Sequence, residues 1–398
     1  ELLALPKYSI EEEDGKPSFM AIFKNLDDRA AACKVLSDNG IRYRTGKTVV
    51  PFRISGNAKW GAPIPSCDGV EGLTFWVWPE SLWAPISFTM AALENRGENP
   101  EKYKDFWCDK DAQVYQFIGE DNIYFYGVAQ TGLFLGLQGK SYSVNPENGK
   151  LRLTNLVANH HLLFGKKKAS SSGEIKPPKA DELLDYYTAE QLRMHFINAS
   201  LAEQSVGFEP LSVLRPEDVK KGGFDTVLYE GNLLTNVYNR LVRSCFYTVA
   251  KHCDGILPDL KTSAQTTEFL KKTVLEYEQL MYKYKFDKVF ELLNIAIKDA
   301  NKIWARDSKK ADAENDAQLR RQLLVDSFSI VRTMAVLLHP FAPMGCETVR
   351  EYLGLSEDMY DWAHIFDNIE DLTRIEHKFK TLEPKFDFFA KHPNQIGG

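Results

Sequence analysis

Leu234-Thr235-Asn236-Val237-Tyr238-Asn239-Arg240-Leu241-Val242-Arg243 is the stretch from which the second half of the chain is read. Leu234, Val237 and Leu241 return at helical spacing, so they share one apolar face. Asn239 and Arg243 stand at i and i+4 and project from one face. The same period continues outward. It recurs in Phe269-Leu270-Val274-Leu275-Leu280-Met281, in Val289-Phe290-Leu293-Ile297 and in Leu323-Leu324-Phe328-Ile330-Val331-Met334. Gly255 to Pro258 and His339-Pro340-Phe341-Ala342-Pro343 interrupt it. After about residue 225 the expectation is therefore four to five long antiparallel helices packed as a bundle. No internal repeat is visible.

Toward the N-terminus the pattern changes. Leu73-Thr74-Phe75-Trp76-Val77-Trp78, Val114-Tyr115-Gln116-Phe117-Ile118, Leu156-Val157-Ala158 and Leu162-Leu163-Phe164 read as short buried strands. Helical stretches from Leu82 to Asn95 and from Ala180 to Phe196 fall between or after them. Alternating strands and helices predict an α/β sheet.

The bulk composition is that of an ordinary globular chain: 398 residues, 44% apolar and 26% charged. That length is expected to hold two to three domains. No run of about 18 apolar residues is present, so no membrane span is expected. The start, with Glu1 rather than Met, lacks the basic and apolar segments of a signal peptide. It is read as the interior of a longer polypeptide. A net charge of -6 leaves room for a nucleic-acid partner, because repulsion is screened beyond about 8–10 Å at physiological salt. Local basic runs stand at Lys166-Lys167-Lys168, Lys220-Lys221 and Lys309-Lys310, each readable alone as solvated surface. The cysteines at 33, 67, 108, 245, 253 and 346 form no Cys-x-x-Cys pair, so no metal site is read. Reduced thiols and a cytoplasmic protein are expected.

Phe164-Gly165-Lys166-Lys167-Lys168-Ala169-Ser170-Ser171-Ser172-Gly173 follows an apolar strand. Ammonium groups would neutralise a polyphosphate, and hydroxyl and backbone N–H groups would donate to it. A flexible basic linker explains the same residues.

The neighbouring segments resemble the methionyl-tRNA synthetases. Arg53-Ile-Ser-Gly-Asn-Ala-Lys-Trp-Gly-Ala-Pro-Ile-Pro65 is similar to a family stretch ending Trp-Gly-x-Pro-Val-Pro. Phe75-Trp76-Val77-Trp78 resembles its Tyr-Val-Trp strand. Gln116-Phe117-Ile118-Gly119-Glu120-Asp121-Asn122-Ile123-Tyr124-Phe125-Tyr126 resembles its Phe-Ile-Gly-Lys-Asp-x-x-x-Phe-His segment. The Lys/Ser loop falls where the family carries Lys-Met-Ser-Lys-Ser. These segments stand in the family's order, and the resemblance covers roughly residues 50 to 355.

The resemblance implies an ATP-dependent aminoacyl-tRNA ligase. It would activate an amino acid, in the family methionine, with ATP and Mg2+ and transfer it to tRNA, by positioning and electrostatic stabilisation. Lys167, Ser170 and Ser171 would carry catalysis; Trp78, Asp121, Tyr126, Lys166 and Lys168 would line the ATP and amino-acid pocket. The implied fold is the second half of a Rossmann-type nucleotide fold followed by an all-α anticodon-binding bundle. Residues 1–50 would end the family's connecting insertion, and 51–165 would be the second half of the catalytic domain. Residues 166–225 would hold the Lys/Ser loop and a linking stem-contact region, and 226–398 the anticodon-binding domain. The family's His-Ile-Gly-His motif, with the half-fold that bears it, is not in the sequence, so residues 1–398 alone are not expected to catalyse adenylation.

Several positions depart from the family. Ser170 stands on its second loop Lys, a change worth on the order of 3 kcal/mol in the transition state, unless Lys166 or Lys168 compensates. Tyr126 replaces a pocket His, and Gly56-Asn57 replace an Arg-Asp pair. Pro79-Glu80-Ser81-Leu82-Trp83-Ala84-Pro85-Ile86 either replaces pocket residues in place or inserts three residues. At the helical end the match is retained. Asn239 and Arg243 repeat the family's Asn-x-x-x-Arg, suited to single-stranded bases, and Trp304 falls where the family has a stacking Trp. Such a Trp is worth about 1–3 kcal/mol per base. Read singly, Trp78 and Trp304 are also ordinary core aromatics, Tyr126 a half-buried tyrosine, and Asn239 and Arg243 surface polar residues. The rival functions are a paralogue that binds tRNA with lost or altered methionine activation, and a plain interaction protein on the bundle.

Overall fold

The computed structural model describes residues 5–12, 19–45, 55–56, 58, 60–66, 71–164, 167–168, 177–367 and 377–395. The chain forms two compact units, Glu1–Ser87 and Phe88–Gly398.

In the first unit, β1 (Tyr8–Glu12) and β2 (Phe19–Phe23) pair antiparallel, with Tyr8 opposite Phe23. The α1 helix (Leu26–Asp38) follows; Asn25 caps it by accepting the Asp28 N–H. β3 (Ser55–Gly56) pairs antiparallel with β4 (Thr74–Phe75). Gly61 takes φ 133°, a conformation that side chains avoid, in the turn that brings Pro63 beside Thr74.

The expected strand Leu73–Trp78 is corrected. Only Thr74–Phe75 is extended, and α2 (Val77–Asn95) begins at once. Pro79 sits in the first turn of that helix, where its missing N–H costs nothing. Trp78 is therefore a helical residue, half-buried. A short apolar run carries no period that separates a strand from a helix start.

In the second unit, the short α3 (Tyr103–Trp107) buries Trp107, whose Nε1 donates to Thr89 Oγ1 at 2.9 Å. β5 (Tyr115–Gly119) pairs in parallel with β6 (Asn155–Asn159), Gly119 opposite Asn159. Parallel strands need a long crossover, here a 3-10 turn, a π-helical turn at Tyr124–Ala129 and α4 (Gln130–Leu137). β5 is less buried than expected. Tyr115 and Phe117 are half exposed, and their rings lie about 6 Å from those of Tyr284 and Phe286. β7 (Leu162–Phe164) then lies between β8 (Lys167–Lys168) and β9 (Val206–Gly207).

The expected helix from Ala180 to Phe196 is two helices, α5 (Ala180–Leu184) and α6 (Ala189–Asn198). Thr188 separates them: its hydroxyl accepts the Gln191 N–H while the Gln191 side chain returns to the Thr188 N–H. The short α7 (Leu211–Leu214) and α8 (Pro216–Lys220) lead to the helical end.

There α9 (Thr226–Asn232), capped by Asp225, runs through a π-helical turn at Leu233–Tyr238 into α10 (Asn239–Cys253). Then come α11 (Ala264–Tyr282), α12 (Phe286–Ala313), α13 (Ala317–Leu338) and α14 (Pro343–Leu353). The end of α10, the end of α13 and the start of α14 lie where the breaks were read, whereas the turns at 283–285 and 314–316 were not read. Asp254 and Gly354 close α10 and α14 in the left-handed conformation, and Pro343 opens α14. Ser327 to Leu338 are buried without interruption, so α13 is the central helix of the bundle. Leu241, Phe246, Leu293, Ile297, Phe328, Met334 and Val349 share one core with it. Each such side chain contributes about 1.5–3 kcal/mol by leaving water. No helix among the described residues is long and apolar enough to cross a membrane.

The last described segment, 377–395, runs back along α10. The Phe379 N–H bonds the Gly255 carbonyl near the end of α10, and the Phe388 N–H bonds Asn239 Oδ1 at its start. Gln395 goes on to α6, donating to the Tyr186 carbonyl and pairing with Gln191.

Candidate functional site

The start of α10 and the C-terminal segment enclose an open groove of about 710 Å³. Asn239, Arg240, Arg243 and Tyr247 line one wall, and Asp387 and Lys391 line the other. The i, i+4 spacing brings Asn239 and Arg243 to the same edge, as expected. Asp387 Oδ1 accepts from both, from Asn239 Nδ2 at 2.7 Å and from Arg243 Nη1 at 2.9 Å. The Arg243 side chain is 31% exposed, enough to present its guanidinium to a ligand in the groove.

Asn239 differs from its surface reading. It is 2% exposed, and its amide is committed on both sides. Nδ2 donates to Asp387 and, at 3.4 Å, to the Thr235 carbonyl, while Oδ1 accepts the Phe388 N–H at 2.9 Å. A buried amide must find partners, and the C-terminal segment supplies them.

Trp304 lies inside the bundle. It is 8% exposed and belongs to the bundle core. Its burial agrees with the core alternative rather than with an exposed stacking ring. Its place on α12 with Leu293, Ile297 and Ala300, at helical spacing, accounts for this.

Two buried polar networks lie on the elements that lead up to α10. Asp225 Oδ2 accepts from the Tyr187 hydroxyl and from Ser212 Oγ, both at 2.6 Å. Burial pushes the Tyr187 hydroxyl well above its usual range, so it remains a donor. Glu230 holds His195 Nδ1 and Asn198 Nδ2, both at 2.6 Å, and so pins α6 to α9. The first network pairs its buried groups, whereas His195 Nε2 in the second is buried without a hydrogen-bond partner.

A second cluster lies at the carboxyl ends of β5 and β6, the end at which open α/β sheets bind ligands. Glu120 Oε1 meets His161 Nδ1 at 2.6 Å, and Oε2 meets His160 Nδ1 at 3.0 Å. His161 Nε2 lies 3.6 Å from Asp121 Oδ2. The sequence reading named Asp121 but missed His160, His161 and the part of Glu120. The missing signal was the parallel register, which places residue 120 beside residue 160. Tyr126 stands half-buried in the π-helical turn that follows.

Of the expected phosphate loop, Lys167 and Lys168 form β8, paired with Phe164 and Leu163. Lys166, Ser170 and Ser171 lie outside the described residues, as does Asn57 of the Gly56-Asn57 replacement. Trp78 belongs to the first compact unit and Asp121 and Tyr126 to the second. Among the described residues no group of three or more His, Cys, Asp or Glu is placed to hold a metal ion.

Comparison with known proteins adds to this geometry. The family described as tRNA synthetases class I (M) matches residues 41–215. The methionine–tRNA ligase of Thermococcus onnurineus is 29% identical over 317 residues, 76% of this chain and 40% of that protein. The methionine–tRNA ligase of Bacteroides fragilis is 24% identical over 363 residues, 89% of this chain and 47% of that protein. A Mycobacterium tuberculosis methionyl-tRNA synthetase bound by methionyl-adenylate shares the fold with a TM-score of 0.60 at 19% identity, over 85% of this chain and 60% of that one. The chain thus spans somewhat under half the length of these curated relatives.

Proposed function

We propose, from the premise that the chain belongs to the methionyl-tRNA synthetase family, that it is the tRNA-reading part, with the second half of the catalytic part, of a methionyl-type aminoacyl-tRNA ligase. The whole protein would activate an amino acid, by its relatives methionine, with ATP and transfer it to tRNA in the cytoplasm. Residues 51–165 would form the second half of the Rossmann-like catalytic domain, 166–225 the Lys/Ser loop and stem-contact region, and 226–398 the anticodon-binding domain. Lys166, Lys167, Lys168, Ser170 and Ser171 would face the triphosphate, and Trp78, Asp121 and Tyr126 the amino-acid and ATP pocket. Mg2+ would travel with the phosphates, as it commonly does.

The observation that carries this reading is the groove. Arg243 is positioned at its edge by Asp387, beside Arg240 and Lys391, on a helix whose start follows the family's pattern. A guanidinium held in this way can fork to a base edge or stack on its face. The amide of Asn239 is consumed in holding the C-terminal segment, so its part is to build the groove. Replacing Arg243 by Ala is expected to weaken binding of a methionine tRNA transcript about tenfold, the loss of one charge-assisted contact. An Arg243→Ala chain that binds as tightly as wild type would remove the groove from tRNA recognition.

A second reading keeps tRNA binding but alters the amino-acid chemistry. Glu120 favours it: a carboxylate stands where the family segment has Lys, and two imidazoles hold it. Pyrophosphate exchange by the complete protein with methionine separates the two readings. Exchange supports ligase activity, and its absence with every amino acid supports the altered paralogue.

A further inference from the structure

Among the described residues lining the groove, Asp387 is the one carboxylate; it stands across from Arg240 and Arg243, with Lys391 on its own segment. It arrives from outside the helices, and its position is fixed on both sides. Before it, Lys385 turns the chain with φ 64°, and the Phe386 N–H bonds the Glu383 carbonyl. After it, Phe388 packs 5.6 Å from Phe246, and Phe389 packs 5.4 Å from Tyr238. The Tyr247 hydroxyl, at the far end of the groove, donates to the Glu383 carbonyl at 2.7 Å. A segment anchored in this way delivers one carboxylate to a set place. One oxygen of that carboxylate takes both Asn239 and Arg243.

We propose that Asp387 is a specificity-determining residue of this groove: it aims Arg243 and offsets the surrounding cations, so that a bare phosphate backbone binds weakly and an RNA gains affinity by presenting base edges. This rests on the reading of the groove as the tRNA site. Three cations without Asp387 would form a general phosphate site, since neutralising phosphates is the part of nucleic-acid binding that ignores sequence. A built-in repulsive group raises discrimination at the expense of affinity. Lys391, on the same segment but outside the Asn239–Asp387–Arg243 contact, adds charge without aiming Arg243.

The test uses the whole chain and the isosteric Asp387→Asn variant, whose amide oxygen still accepts from Asn239 and Arg243. Lys391→Gln is the companion. Thermal melts establish that both variants are folded. Binding is measured to a methionine tRNA transcript and to one with a changed anticodon, and retention on heparin is measured separately. Asp387→Asn is expected to bind the changed transcript about two- to fivefold more tightly, the scale of one partly exposed charge. The ratio between the two transcripts should fall, and heparin should hold the variant to higher salt. Lys391→Gln is expected to lower all three affinities and leave the ratio in place. An unchanged ratio for Asp387→Asn overturns the proposal, whether or not heparin retention rises. A wild-type chain that ignores the anticodon contradicts the tRNA reading; heparin then decides for Asp387, and unchanged retention overturns the charge-offset role.

Discussion

Trp304 and Arg243 stand in the same helical end of one molecule and carry opposite expectations. Trp304 is core, so Trp304→Ala should open a cavity and cost about 3–5 kcal/mol of unfolding free energy in a denaturant titration. Its effect on RNA should follow the loss of folded protein. A stable Trp304→Ala chain with selectively weakened RNA binding would return the ring to the interface. Glu190 makes a separate prediction. Its Oε1 accepts the Gly345 N–H at 2.9 Å, and burial raises its carboxyl above the ordinary value against the pull of two amide donors. A raised folded-state value means stability that is full below the unfolded value and lost as pH rises through the folded one. Glu190→Gln keeps an acceptor and removes the charge, so wild type should fall progressively behind it in melting temperature as pH rises above the ordinary glutamate value of about 4. A difference that is constant or reversed over that range would contradict the placement. The i, i+4 spacing of Asn239 and Arg243 was legible in the sequence. The burial of Asn239 was not, because its partners, Asp387 and Phe388, lie nearly 150 positions along the chain.

Among the elements, long periodic helices were legible and short apolar runs were not. The bundle helices follow from apolar faces sustained over many turns; Gly255 marks the end of α10 and Pro340 and Pro343 the junction of α13 and α14, while the turns at 283–285 and 314–316 carry no Gly or Pro to mark them. Leu73–Trp78 failed as a strand because six apolar or β-branched residues have no period long enough to exclude a helix start. The break at Thr188 was there to be read as a capping box, Thr188 with Gln191, and was passed over for the longer apolar pattern. The C-terminal segment carries no period at all, yet it forms one wall of the groove. Its seat depends on Gly345: a Cβ there would lie 2.2 Å from the Phe389 ring. Gly345→Ala should therefore destabilise the protein by about 1–3 kcal/mol and loosen the segment enough to weaken tRNA binding as well. An alanine variant with wild-type stability would mean that the segment does not pack on α14 in this way.

For the whole molecule, the change of apolar period near residue 225 marks where the long helices begin, whereas the compact units divide between Ser87 and Phe88, which the period does not show. The site at the carboxyl ends of β5 and β6 was only half legible, since sequence order does not reveal which strands are parallel neighbours. The most informative measurement is binding of the 398-residue chain to a methionine tRNA transcript and to the same transcript with a changed anticodon, each at low and at physiological salt. If the groove reads the anticodon, the first transcript binds at least about tenfold more tightly, the worth of one good base contact. That ratio should survive the rise in salt even as both affinities fall. Equal binding of the two transcripts, fading together steeply with salt, would contradict anticodon reading by this groove.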